Sequence, residues 1–257
     1  MPELPDVEIF KNELHQQVVQ QKIQEIGNLN AQMFEYSRLK LESLKGAHLK
    51  AVRRYGKYCF LHSDHKGILV FHFGMTGSVQ YLQTISQPEH IQFSLLLSNG
   101  YHLIYRSIRK LGKIFLITDK KQFIQKKQLG PDALFVSLDH FLSIIKSKKS
   151  LIKTALMNQK TIAGLGNIYS DEILYQSSIH PKRKTNKLTD QEIERLYKQM
   201  RSVLHLTIKQ KANPSLLPSS FLIQRRKPGC ECGLGRGTIQ REVIGGRATY
   251  FCDRHQK

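Results

Sequence analysis

The second and third residues, Pro2 and Glu3, set a ring nitrogen beside a carboxyl group. Inside a peptide bond a proline nitrogen is an amide and not a nucleophile. Met1 precedes a small residue, so its removal is expected and would leave Pro2 with a free secondary amine. An α-amino group has a pKa near ~8, so part of it is unprotonated at neutral pH. Such an amine attacking an aldehyde-level carbon gives an iminium Schiff base. The iminium acidifies the proton on the neighbouring carbon and permits β-elimination. An adjacent carboxyl with a raised pKa can exchange the protons that such steps need. Taken alone, Met-Pro is also a common protein start without a role, and Glu3 suits the first turn of any helix through the helix dipole.

A second pattern is KTIAGLGNIYSDE, Lys160 to Glu172. A glycine-rich turn lets backbone N–H groups approach a phosphate, and a helix N-terminus behind it adds partial positive charge. Asn167 can donate its side-chain amide to the same phosphate. A tight helix–helix turn used only for packing accounts for the stretch equally well.

The third pattern is the cysteines. Cys59 stands alone in an apolar run and reads as a buried thiol. Cys230, Cys232 and Cys252 fall in the last 28 residues, with His255 beside them. With no export signal, this reads as a metal site rather than disulfides. Three Cys and one His make a sound tetrahedral set for one structural Zn2+, although a one-residue gap between the first two thiolates is unusual. The alternative is a hairpin held by packing alone.

The chain around these patterns has 257 residues, with Lys+Arg 40 against Asp+Glu 20 and a formal charge of +20. Each Lys or Arg that neutralises a phosphate releases a condensed counterion, so this excess predicts a polyanion as partner. Nucleic acid is favoured over an anionic membrane surface. No apolar stretch approaches ~18 residues, so no span is expected. The start MPELPDVEIF carries acids where a secretory segment needs a basic region, so no targeting segment is expected and the location reads as cytoplasmic.

The elements that must position these residues are legible in outline. From Pro2 to about Gln20, apolar residues Leu4, Val7, Phe10, Leu14 and Val18 recur at helical spacing. From about Gln21 to Thr118, short apolar or alternating runs broken by Gly, Asn or Asp predict strands and hairpins, enough for a sandwich or barrel. LGPDALF, Leu129–Phe135, reads as a linker. Beyond it helices are predicted at Asp139–Lys146, Leu151–Met157, Ile168–Gln176 and Asp190–Lys209, the last with Thr189 as N-cap. The tail GTIQREVIGGRATYFC reads as a β-hairpin. The fold class predicted is α+β, with domains at 1–128 (β-rich), 129–224 (helical) and 225–257 (hairpin).

Five stretches in one order, MPELPDVE, RRYGKY, HFGMTG, AGLGNIYSDEILYQSSIHP and the terminal Cys hairpin, closely resemble the formamidopyrimidine-DNA glycosylase/endonuclease VIII family of base-excision repair enzymes. The resemblance runs from Pro2 nearly to the C-terminus. It implies an N-terminal β-sandwich with flanking helices, followed by a helix–two-turn–helix domain with a zinc-type β-hairpin. It implies Pro2 as nucleophile, Glu3 as general acid/base and Lys57 as phosphate contact and proton donor during elimination. Arg247, in GGRATYFC, matches the family's hairpin arginine, which grips phosphates and assists δ-elimination. Base extrusion needs a side-chain wedge, and the family's wedge maps to Met75, Arg109 and Leu111. His90, Lys148, Lys153, Asn167 and Tyr169 are candidate phosphate or backbone contacts.

Departures from the family pattern are equally specific. Asp6 stands where Glu is usual, Leu111 replaces the wedge aromatic, and SIRKLG replaces DPRRFG. Asn158 takes the place of an Asp. The metal pattern of two CxxC pairs sixteen apart has become Cys230-x-Cys232, nineteen residues, then Cys252-x-x-His255. The implied function is a bifunctional glycosylase and abasic-site lyase acting on double-stranded DNA with damaged bases or abasic sites, with oxidised purines favoured by MPELPDVE. A monomer is implied. The alternatives are a paralogue with shifted lesion preference or a non-catalytic binder of DNA structure. A zinc-finger regulator is excluded as a main reading, since one irregular hairpin offers no finger array. The loop near Asn213–Gln224 is the expected contact to a flipped base.

Overall fold

A computed structural model describes residues 2–27, 30–34, 41–65, 67–86 and 88–257. The chain divides into two compact units, Met1–Lys127 and Gln128–Lys257.

The first unit opens with α1 (Leu4–Val18), followed by β1 (Ile23–Gly27), β2 (Leu49–Tyr55), β3 (Tyr58–Ser63) and β4 (Ile68–His72). Then come β5 (Gly77–Leu82), β6 (Ile91–Leu97), β7 (His102–Ser107), β8 (Lys113–Ile117) and α2 (Lys120–Lys126). Two four-stranded antiparallel sheets form, in the orders β1-β6-β7-β5 and β2-β3-β4-β8. Ile23, Phe93, Leu95 and Tyr105 from the first sheet meet Val52, Leu61, Phe71 and Ile114 from the second in one buried cluster. Val7, Leu14 and Val18 of α1 join it. This is a sandwich, one of the two arrangements that the hairpin grammar allows and the one that the resemblance implies.

Strands β3, β4 and β8 read as nearly unbroken apolar runs, because their sheet is covered on both faces. Cys59 and Leu61 point into the sandwich, while Phe60, Val70 and Phe115 point outward and are capped by Phe123 of α2. The sequence reading assigned no element to α2. Its N-cap is Asp119, whose carboxylate accepts from Lys121 N (2.6 Å) and Gln122 N (3.1 Å).

The second unit holds α3 (Leu138–Lys146), α4 (Ile152–Met157), α5 (Asn167–Gln176), α6 (Asp190–Lys209), and a hairpin of β9 (Gln240–Ile244) and β10 (Arg247–Phe251). All four predicted helices form within a residue or so of their expected ends. For α6 the ends and the Thr189 cap coincide, and a capping box closes it: Glu192 N donates to Thr189 Oγ1 (3.2 Å), and Thr189 N donates to Glu192 Oε2 (2.8 Å). The hairpin turns on Gly245 and Gly246, both with positive φ (58° and 73°), the pattern of a type I′ turn. Among the described residues no helix is long and apolar enough to cross a membrane.

Candidate active site and nucleic-acid interface

Pro2 lies half-buried just ahead of α1; Met1, whose removal the sequence reading expects, lies outside the described residues. Glu3 is the N-cap of α1 and is 2% exposed. Its backbone N–H donates to Asp6 Oδ2 at 2.8 Å, one half of a capping box. The shorter Asp, which stands where Glu is usual, therefore reaches the Glu3 backbone. Burial pushes the Asp6 carboxyl above its usual range, against the pull of its backbone hydrogen bonds and of the Lys57 charge.

Lys57 sits in the two-residue turn between β2 and β3, where Tyr55 pairs with Tyr58. The first turn position needs φ near +60°, and Gly56 supplies 55°. Lys57 is 7% exposed, an uncommon place for an ammonium. Its field helps burial to lower the His72 pKa to about 4, with Lys127 contributing further. The turn is tied to α1 by Arg54, which donates to Glu8 Oε2 (2.6 Å) and to the Gly56 carbonyl (3.0 Å). Lys11 reaches the other Glu8 oxygen at 2.8 Å. Burial would raise Glu8, but the hydrogen bonds from Lys11 and Arg54 outweigh it and hold the carboxyl below its usual range. Arg54 and Glu8 went unnoticed in the sequence. Their only local signal was an Arg and a Glu inside otherwise half-apolar elements.

Two loops of this unit present apolar tips. Met75, between β4 and β5, is 41% exposed; Ile108 and Leu111, between β7 and β8, are 63% and 51% exposed. The loops lie side by side. A Cβ on Gly74 would fall 2.5 Å from the Leu111 carbonyl carbon, and Arg109 N donates to Thr76 Oγ1 at 3.0 Å. Arg109 itself is exposed. The sequence reading missed Ile108, although a β-branched residue in a loop of Ser, Arg and Lys was a visible anomaly. His90 is exposed with φ of 63°, and its carbonyl accepts from Ser107 N (3.0 Å) and Gln92 Nε2 (3.1 Å).

In the second unit the glycine turn is bound inward more than the sequence suggests. Gly164 N donates to Gln159 Oε1 (3.0 Å), and Gln159 Nε2 donates to the Leu165 carbonyl (2.7 Å). Asn167, the first residue of α5, donates its amide to the Ala248 carbonyl of β10 (3.0 Å). One hydrogen of that amide is thus committed to the hairpin, leaving one for a ligand. Lys148 is half-buried after α3, and its carbonyl accepts from Thr185 Oγ1 (2.7 Å).

Two expected surface contacts turn out to be buried. Lys153 has no exposed side-chain area; its ammonium bonds Asp171 Oδ1 (2.5 Å) and Thr249 Oγ1 (2.6 Å). Its charge is met by Asp171 within the unit, so the expectation of a phosphate contact is corrected to an internal ion pair. Tyr169 is 6% exposed and faces inward as well. Asp171 Oδ2 accepts from Arg226 (2.8 Å) and Tyr250 N (3.1 Å). Three consecutive residues of β10 are therefore gripped from α4 and α5: Ala248 by Asn167, Thr249 by Lys153, Tyr250 by Asp171. Arg247, the residue before them, stays exposed next to the turn.

The Cys232 and Cys252 thiols adjoin, but the expected zinc ligands do not gather as a set. Among the described residues no three His, Cys, Asp or Glu side chains converge as a metal needs. His255 Nε2 lies 2.9 Å from the Tyr175 carbonyl, and Cys232 Sγ lies 3.1 Å from the Tyr175 hydroxyl. The residues present do not fit a tetrahedral zinc.

Two family models match the chain. One, the formamidopyrimidine-DNA glycosylase N-terminal domain, covers residues 1–114, and the other, the H2TH domain of the same enzymes, covers 129–217. A formamidopyrimidine-DNA glycosylase of Lactococcus lactis subsp. lactis is 33% identical over 269 residues, covering 98% of each chain. That of Hydrogenovibrio crunogenus is 32% identical over 276 residues, covering 100% of this chain and 97% of the relative. Among solved structures, the Lactococcus lactis enzyme bound to DNA containing an abasic site matches with a TM-score of 0.89 at 29% identity over 99% of both chains. A MutM complex with DNA carrying carbocyclic 8-oxo-G also gives 0.89, at 29% identity over 100% of both.

Proposed function

The chain belongs to the formamidopyrimidine-DNA glycosylase family, and we propose that it is a bifunctional glycosylase and abasic-site lyase for oxidised purines, 8-oxoguanine and formamidopyrimidines, in double-stranded DNA. The observation that carries this reading is the N-terminal constellation. Pro2 adjoins a buried Glu3 whose backbone is fixed by Asp6, and a buried Lys57 acts on that same Asp6.

The steps follow from these groups. Met1 is removed, and the neutral Pro2 nitrogen attacks C1′ of the damaged nucleotide. The glycosidic bond breaks, and the base leaves with the proton that the Pro2 nitrogen gives up on bonding to C1′. Glu3 protonates O4′ as the sugar ring opens, giving an iminium between Pro2 and C1′. Loss of a C2′ proton then expels the 3′ phosphate, and a second elimination expels the 5′ phosphate. Lys57 supplies charge and a proton during the first elimination, and the exposed Arg247 holds phosphate through the second. Met75, Arg109 and Leu111 fill the gap left by the flipped nucleotide, with Ile108 adding apolar surface beside them. His90, Lys148 and Asn167 contact the backbone. Family membership is compatible with a structural zinc, but no step passes through a metal. The protein acts as a monomer on nucleoid DNA in the cytoplasm.

The test is borohydride trapping. Met-processed protein is mixed with duplex DNA carrying 8-oxoguanine opposite cytosine, and in parallel with an abasic duplex, and covalent adducts are read on a denaturing gel. Adducts on both are expected. Pro2→Gly behind an N-terminal extension is expected to trap neither while still binding DNA; retained cleavage in that variant would sink the mechanism. An adduct on the abasic duplex alone would indicate a lyase with another base target. Binding without any adduct would favour a non-catalytic DNA structure binder.

A further inference from the structure

We infer that the C-terminal hairpin of this chain folds without a metal ion, joined instead through Tyr175 of α5. The conclusion rests on the candidate ligands, no three of which converge among the described residues, and on what already engages them.

A tetrahedral zinc holds its donors at about 2.0–2.3 Å, which brings neighbouring donor atoms within about 3.5–4 Å of one another. Glu231, between the first two cysteines, pairs with Thr238 in an extended β-bridge. Along an extended chain, residues two apart are separated by about 6.5–7 Å and share a side. The single-residue gap between Cys230 and Cys232 thus lies on an extended stretch, where the family's two-residue gap leaves room for a turn. His255 has one ring nitrogen already engaged. A carbonyl can only accept, so the 2.9 Å contact to the Tyr175 carbonyl puts the proton on His255 Nε2. That nitrogen is therefore closed to a metal, which leaves only Nδ1. The other ring nitrogen lies over Gly235, 3.7 Å from where its Cβ would be.

Tyr175 does the joining. It is fully buried, and its hydroxyl accepts from Gly233 N (2.7 Å) and meets Cys232 Sγ (3.1 Å). Its carbonyl receives His255, and its ring lies 5.1 Å from the His255 ring. One helical residue therefore links the first cysteine loop to the end of the chain, the two segments that a shared zinc would link. Cys232 and Cys252 sit with Tyr175, Leu222 and Ile239 in an apolar cluster. The chain end is closed independently by Gln256, which accepts from Cys252 N (2.9 Å) and donates to the Ile179 carbonyl (2.9 Å).

The experiment uses the full-length protein purified from zinc-supplemented cells, with metal content measured by mass spectrometry and thermal unfolding followed with and without a chelator. Below about one zinc per ten chains is expected, with a midpoint that the chelator leaves within about 1 °C. Tyr175→Phe keeps the ring but loses the hydroxyl, and is expected to lower the midpoint by about 2–4 °C. Near-stoichiometric zinc that disappears in Cys252→Ser, together with a chelator-sensitive midpoint, would overturn the inference. Fractional zinc is assigned by the same variant: zinc retained by Cys252→Ser is bound elsewhere and supports the inference, and zinc lost from it counts against.

Discussion

Glu3 is placed through its backbone as well as its side chain, and that makes Asp6 testable. Asp6→Ala removes the acceptor for Glu3 N and is expected to cost about 1 kcal/mol of stability as a lost cap partner. If the capping bond also aims the residue beside Pro2, the trapping rate falls several-fold with DNA affinity unchanged, and Asp6→Glu restores it. An unchanged trapping rate would confine Asp6 to helix capping. The wedge offers a second residue-scale test. Ile108→Ser with Leu111→Ser removes the two most exposed apolar side chains of that loop. Excision of 8-oxoguanine from duplex is expected to slow at least tenfold, because an unfilled gap lets the base restack. Cleavage at a pre-formed abasic site, which has no base to hold out, is expected to stay within about twofold. Equal losses on both substrates would mean the loop serves binding rather than extrusion.

Among the elements, the hairpin depends on a buried charge pair. Lys153 and Asp171 are both without exposed side-chain area. Asp171→Leu leaves the Lys153 ammonium buried without its carboxylate, a loss of about 3–5 kcal/mol. Lys153→Met leaves Asp171 with Arg226 and Tyr250 N, so its cost is expected to be smaller, about 1–3 kcal/mol. Urea denaturation gives both values, and the reverse order would show that Lys153 is the partner the unit can least lose. This pair also marks the limit of what the sequence shows. The Thr189 cap of α6 is local in sequence and was legible, as was the 3.6-residue periodicity of α1. The partners of Lys153 lie 18 and 96 residues away, and no local pattern tells a buried lysine from a surface one in so basic a chain. The seven residues of α2 were missed because only Phe123 among them is buried, too little to set a period. Pro2, Glu3 and Lys57 were legible through motif order, whereas Arg54 and Glu8 needed the strand register to bring them together. The metal expectation rested on the number and spacing of donors, which do not record which way they point, and among the described residues no three of them converge.

At the scale of the whole chain, two buried titrations act in opposite directions. His72 in the first unit has its pKa lowered to about 4, chiefly by burial, so the unfolded chain binds the proton first. Stability from this group is complete above pH ~6.5 and is lost as pH falls through about 4. Glu172 in the second unit is raised to about 7, again chiefly by burial, although it accepts from Leu222 N, Ile223 N and Gln176. Here the folded state holds the proton longer. Its stability is complete below pH ~4.5 and is lost as pH rises through about 7. Each shift corresponds to roughly 3 kcal/mol at its full extent, and the windows overlap between pH ~4.5 and ~6.5. Across that interval the two slopes offset each other, and the wild-type midpoint in urea is expected to change little. Glu172→Gln, which keeps an oxygen for Ile223 N, should expose the His72 slope, with stability rising from pH 4.5 to 6.5. His72→Gln should expose the opposite slope, with stability falling over the same range. A series of urea titrations at half-unit pH steps reads both. Parallel profiles in the two variants would mean that neither group carries the shift its burial implies, and that the surplus of surface lysine and arginine governs the pH response instead.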